Sequence, residues 1–187
     1  PGERLVLVNN AGVRPRHPFD DASRDQAWRD AMAVNVDGVR NMILALRPVL
    51  AGGGCVVNIG SISASRASGG GIAYSPSKAA AEMLTKVMAL ELAGEGIRVN
   101  AVAPGVMETP MTETSRNDPR RRDYLMQRIP LRRFGRPQEL VGPGAVGQLD
   151  LGAGAVVVGV GHEGAVAEDG VGRLGPARKG QRNHCCA

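Results

Sequence analysis

The sequence predicts an α/β fold built on an open, parallel sheet. Two observations carry that expectation. Three short apolar runs, "RLVLVN", "CVVNI" and "GIRVNAVA", read as strands buried on both faces, and between them lie two longer stretches in which apolar residues recur at helical spacing. Strand, helix, strand, helix, strand at these intervals is the βαβ arrangement, joined by right-handed crossovers.

The first run, residues 4–9, ends in the turn Asn-Ala-Gly. Over residues 23–46, Trp28, Met32, Val36, Val39, Ile43 and Leu46 mark one helical face, with Ser23 placed as N-cap and three glycines at 52–54 beyond the end. Inside that helix, in "AVNVDG", Asn35 and Gly38 both cost helix stability, and such a local inconsistency marks a candidate functional position. Residues 55–59 form the second strand and residues 73–92 the second helix, with Pro76 near its first turn, where a missing N–H costs nothing. The third strand, 96–103, is closed by Pro104 and Gly105. In open α/β sheets ligands bind outside the carboxyl ends of the strands. Here those ends are residues 9–12, 60–63 and 104–109, and Tyr74 opens the second helix close by.

The length of 187 residues is about that of one domain, and a hydrophobic content of 43% fits a globular protein. No apolar run approaches the roughly eighteen residues that span a bilayer, and no signal peptide opens the chain, so a cytoplasmic location and no membrane partner are expected. The three cysteines show no disulfide framework, and the consecutive His184, Cys185 and Cys186 lack the ligand spacing of a zinc site, so no metal is expected. Most of the net charge of +5 sits in residues 112–139, with eight arginines against four acids. This is one arginine-rich segment, not a basic face with interleaved aromatics. It reads as a solvated surface or as a binder of an acidic group on substrate or cofactor, and not as a nucleic-acid interface. Residues 142–187 hold 12 of the 26 glycines, which separates a domain over 1–141 from an atypical glycine-rich, basic tail over 142–187. In that tail "GAVVVGV" at 154–160 is a candidate last strand.

Chemistry enters with "YSPSK". Tyr74 and Lys78, at i and i+4, share one helix face, and the sequence has kept lysine here although it holds 20 arginines and only three lysines. A free tyrosine is a poor base at neutral pH, but a nearby ammonium favours the phenolate. Ser61, thirteen residues before Tyr74, stands at the mouth of the second strand, where its hydroxyl can bond a substrate oxygen; an ordinary turn serine is the plainer reading.

Taken together, "NNAG" at 9–12, Asn35 in a helix, Ser61 after "VNIG", Tyr74 with Lys78, "RVNAVAPG" at 98–105 and "IPLRRFGRPQEL" at 129–140 resemble the short-chain dehydrogenase/reductase family in its order and spacing. The resemblance implies a Rossmann-like doubly wound parallel sheet that lacks the first βαβ units of the fold. It implies NAD or NADP as cofactor and an oxidoreductase that interconverts a secondary alcohol and a ketone. Tyr74 would donate or accept the proton, Ser61 would orient the substrate oxygen, Lys78 would bind the nicotinamide ribose, and Asn35 would hold a water linking Lys78 to solvent. Asn9, Ala11 and Gly12 would line the cofactor near its adenosine ribose; Pro104, Gly105, the backbone of Met107, and Thr109 would position the nicotinamide.

Two departures stand beside it. The family's glycine-rich phosphate loop has no counterpart here, so an N-terminally truncated member is expected, and the tail after Pro143 does not follow the family's usual ending. Residues 110–133 resemble the family's substrate lid, and "RRR" at 120–122 would suit an acidic or carrier-linked substrate such as a 3-oxoacyl thioester. The two helices would form the interfaces of a homodimer or homotetramer. The alternative to an enzyme is a catalytically incompetent fragment that serves only subunit association.

Overall fold

In a computed structural model the chain is described over residues 5–17, 19–67, 69–140 and 156–160. The elements are β1 (Val6–Asn9), α1 (Arg24–Met32), a π-helical turn (Ala33–Asp37), α2 (Gly38–Leu50), β2 (Cys55–Ile59), α3 (Tyr74–Glu91), β3 (Arg98–Ala103), α4 (Glu113–Asn117), α5 (Pro119–Arg128) and β4 (Val156–Val160). The strands lie in the order β1-β2-β3-β4. Asn9 pairs with Asn58 and Ile59 with Val102 in parallel register, so the carboxyl ends of β1, β2 and β3 share one rim. This is the partial Rossmann-type sheet the sequence predicts.

Alternation along the strands shows where the core lies. Leu7, Val56 and Val99 face α2 and α3, where they meet Val39, Ile43, Leu50, Ala89, Leu92 and Ile97. The other face differs from expectation. Val6 and Val8 are 55% and 53% exposed, so β1, read from its continuous apolar run as buried twice over, is an edge strand covered on one side only among the described residues.

Further differences are local. The predicted 23–46 helix is two helices joined by the π-turn and reaches Leu50, with Pro48 inside its last turn. Ser23 does not cap it with its side chain; the Asp21 carboxylate instead accepts bonds from the Ser23 amide and hydroxyl, an Asx turn that starts the helix from two residues upstream. After α2 the chain must reverse at once to enter β2. Gly54 makes this possible, because a Cβ there would lie 2.5 Å from the Leu50 carbonyl oxygen. β4 falls on the candidate last strand and pairs antiparallel to β3, which makes the described sheet mixed. The rest of the 142–187 tail, including His184, Cys185 and Cys186, lies outside the described residues. No helix among the described residues is long and apolar enough to cross a membrane.

Candidate active site

Tyr74 and Lys78 occupy the first turns of α3, which the chain enters at the rim beyond β2. Both are buried, and the Lys78 Nζ lies 6.0 Å from the Tyr74 ring centroid. The ammonium donates to the Ile59 carbonyl at 2.7 Å, which pins it to the end of β2. Burial pushes the Lys78 pKa below its ordinary value. One carbonyl acceptor leaves donor capacity on an ammonium that carries three N–H groups.

Asn35 is fully buried at the centre of the π-turn. Its Oδ1 accepts from the Val13 amide at 2.9 Å, and its Nδ2 donates to the Val13 carbonyl and to Ser77 Oγ, each at 2.9 Å. Ser77 in turn donates to the Tyr74 carbonyl at 2.8 Å. One amide therefore ties the loop after β1 to the first turn of α3. Gly12 sits over this junction: a Cβ there would come within 3.3 Å of Asn35 Oδ1 and 3.6 Å of Lys78 Nζ. The cost of asparagine within a helix is offset by these three bonds, and the wider π-turn sits where its side chain must reach sideways.

A second buried chain lies one layer deeper. Asn9 Nδ2 donates to Asn58 Oδ1 at 2.8 Å, Asn58 Nδ2 to Thr85 Oγ1 at 2.9 Å, and Thr85 to the Ala81 carbonyl at 2.8 Å. Asn9 thus locks the end of β1 to β2 and α3, while Ala11 is exposed beyond it. Ser61 is buried after β2; its Oγ accepts from the Ser63 amide at 3.1 Å, which fixes the oxygen and leaves the hydroxyl proton to be donated. Pro104 accepts from the Ile62 amide at 3.1 Å, so the loops after β2 and β3 are laced together, and Gly105 follows half-buried. Thr112 Oγ1 donates to the Met107 carbonyl, and the Thr109 amide donates there at 3.0 Å. The segment through Met107 and Thr109 is thereby held against Gly135, which accepts from the Glu108 amide at 2.7 Å.

Residues 3–145 match the family model described as enoyl-(acyl carrier protein) reductase. A 5-keto-D-gluconate 5-reductase of Escherichia coli is 40% identical over 139 residues, which is 73% of this chain and 54% of that protein. A 3-oxoacyl-[acyl-carrier-protein] reductase of Thermotoga maritima is 41% identical over 137 residues, covering 72% and 54%. The solved gluconate 5-dehydrogenase of Burkholderia cenocepacia, in complex with NADP and tartrate, superposes with a TM-score of 0.69 at 37% identity over 73% of this chain and 54% of that one. The chain belongs to the short-chain dehydrogenase/reductase family. It spans about half the length of the curated relatives it matches.

Of the positions singled out from the sequence in this short-chain dehydrogenase/reductase, Gly12, Asn35, Tyr74 and Lys78 come together directly or through Ser77, Pro104 is bonded to the loop that carries Ser61, and Met107 and Thr109 are tied to Thr112 and Gly135. The supporting residues Ser77, Asn58, Thr85 and Thr112 are not among them; "YSPSK" and "VNIG" contain the first two, but nothing in the spacing says which partner each would find. Arg14 also escapes a reading from sequence. Its guanidinium carbon lies 5.3 Å from the Tyr74 ring centroid, opposite in character to the exposed arginines at 120–122, which occupy the first turn of α5 behind the Asp118 cap.

Proposed function

We propose that the protein carrying this chain is an NAD(P)-dependent oxidoreductase that interconverts a secondary alcohol and the matching ketone. The observation that carries this reading is the buried Tyr74–Lys78 pair at the carboxyl end of β2, with Lys78 oriented by Ile59 and the Tyr74 turn braced by Asn35 through Ser77. The donor set fits a nicotinamide ribose: an ammonium with spare N–H groups sits beneath a glycine where a side chain would crowd in. When bound, the cofactor supplies the hydride exchanged with the substrate carbon. Tyr74 gives a proton to the carbonyl oxygen in reduction and takes it back in oxidation, Ser61 donates a hydrogen bond to that oxygen, and Lys78 holds positive charge beside the phenol.

Asn9, Ala11 and Gly12 line the adenosine-ribose side in this reading, and Pro104, Gly105, the Met107 backbone and Thr109 the nicotinamide side. The water expected at Asn35 falls to its backbone in this reading, since both side-chain N–H groups are taken by Val13 and Ser77.

For the substrate, relatives named for 3-oxoacyl and for keto-acid reduction support an oxo compound that carries or is linked to an acidic group. Turnover of simple ketones, keto sugar acids and 3-oxoacyl thioesters tests this directly, with the chain joined to the glycine-rich first half of a family member. Absence of turnover on all three classes would overturn the reading. Self-association is proposed with it: α2 exposes Met42 and Val49, and α3 exposes Met83, Val87 and Leu90, apolar stripes at i, i+7 and i, i+4, i+7 spacing.

A further inference from the structure

We propose that Arg14 and Arg16 form a carboxylate clamp above Tyr74 that selects a small oxo or hydroxy acid. The inference rests on the reading of Tyr74 as the group that meets the reacting oxygen.

The two arginines lie on the loop after β1, held in place by the bonds of Asn35 to the Val13 backbone. Arg14 sits over the Tyr74 ring at 5.3 Å, and Arg16 Nη2 donates to Ser115 Oγ on α4 at 3.0 Å. Arg16 therefore ties the loop after β1 to α4. Among the described residues, no carboxylate lies within ion-pair distance of either guanidinium, whereas Arg47 has Glu95 and Arg133 has Glu139. Burial, and after it the like charges of Arg14 and Arg121, lower the Arg16 pKa. Like charges without a counter-ion repel one another. An anion placed between them relieves that repulsion, and a planar guanidinium fork matches the geometry of a carboxylate.

Distance decides which anion. Arg14 stacks on the ring whose hydroxyl meets the reacting oxygen, so the bound carboxylate and the reacting carbon are separated by only a few bonds. The phosphate of a long carrier arm is many bonds from a 3-oxo group and would lie outside this reach. The clamp favours the keto acid among these substrate classes, and it centres the role on Arg14 and Arg16, with the charge of Arg121 reaching Arg16 from α5.

Calorimetric titration of the 187-residue chain tests the clamp without turnover, using sodium gluconate, sorbitol, which has the hydroxyl chain but no carboxylate, and inorganic phosphate. Gluconate is expected to bind at least about 10-fold tighter than sorbitol, and to lose about 10-fold or more of its affinity in Arg14→Gln and Arg16→Gln. Arg14→Lys, which keeps the charge and loses the fork, should fall between. Arg29→Gln, an equal loss of charge on α1, should change nothing. Equal binding of gluconate and sorbitol, or unchanged gluconate binding in Arg14→Gln with the fold intact by circular dichroism, would overturn the proposal. Phosphate binding tighter than gluconate at the same arginines would overturn the carboxylate assignment. Tyr74→Phe should retain gluconate binding, so a clamp that binds while turnover fails separates this inference from the oxidoreductase reading.

Discussion

Tyr74 and Lys78 illustrate how burial changes what a residue pair can do. On a helix surface an i, i+4 tyrosine and lysine are unremarkable, and arginine would serve equally. Inside the rim, the Lys78 ammonium is fixed by one carbonyl and keeps its remaining donors. Arginine would not repeat this arrangement, because its planar fork is larger than an ammonium and a single Ile59 carbonyl cannot satisfy it. Glu139 shows a plainer case of charge. Bonds from Arg133 and the Arg136 amide pull its pKa from the ordinary 4.5 to about 2. The folded state binds this proton less readily than the unfolded chain, so its contribution is complete above pH 4.5 and is lost as pH falls toward about 2. Glu139→Gln should melt at a lower temperature than the parent at pH 7, and the difference should shrink across that interval in a pH series of thermal melts. A constant difference down to pH 2 would contradict the assignment.

At the level of elements, the strands and α3 were legible because their signals are internal to each segment. Continuous apolar runs mark β2 and β3, and helical spacing with Pro76 near its start marks α3. The π-turn was not legible, although its cause was: Asn35 and Gly38 flagged the place, while the extra residue in the turn depends on Val13 and Ser77, 22 and 42 positions away. Arg14 was hidden for the same reason, since its partner is a ring sixty residues on and the sequence is rich in arginine. Packing of α2 on the sheet rests on Ile43, which is fully buried among Leu7-facing and β2-facing side chains. Ile43→Ala should destabilise the chain by about 2–5 kcal/mol in a urea titration, with the transition midpoint moving and its slope unchanged. A loss below about 1 kcal/mol would mean that α2 repacks or does not seal this face.

At the scale of the whole chain, the described residues form part of a Rossmann-type sheet, and the proposed site lies at the carboxyl ends of its parallel strands. Among the described residues the main core cluster lies between the sheet and α2 and α3, and the apolar residues Val6, Val8, Met83, Val87 and Leu90 are left at the surface. Sedimentation velocity should show dimers or larger species, and Val87→Glu with Leu90→Glu should shift them toward monomer; a parent that stays monomeric at high concentration would contradict the association proposal. The central claim is catalytic, and Tyr74 tests it most directly. In a protein that joins this chain to the glycine-rich first half of a family member, Tyr74→Phe removes one hydroxyl and leaves packing, Lys78 and the cofactor contacts in place. Steady-state turnover across pH should fall by about 10²- to 10⁴-fold with cofactor affinity unchanged. Retention of half the parental rate with the same pH profile would contradict the account.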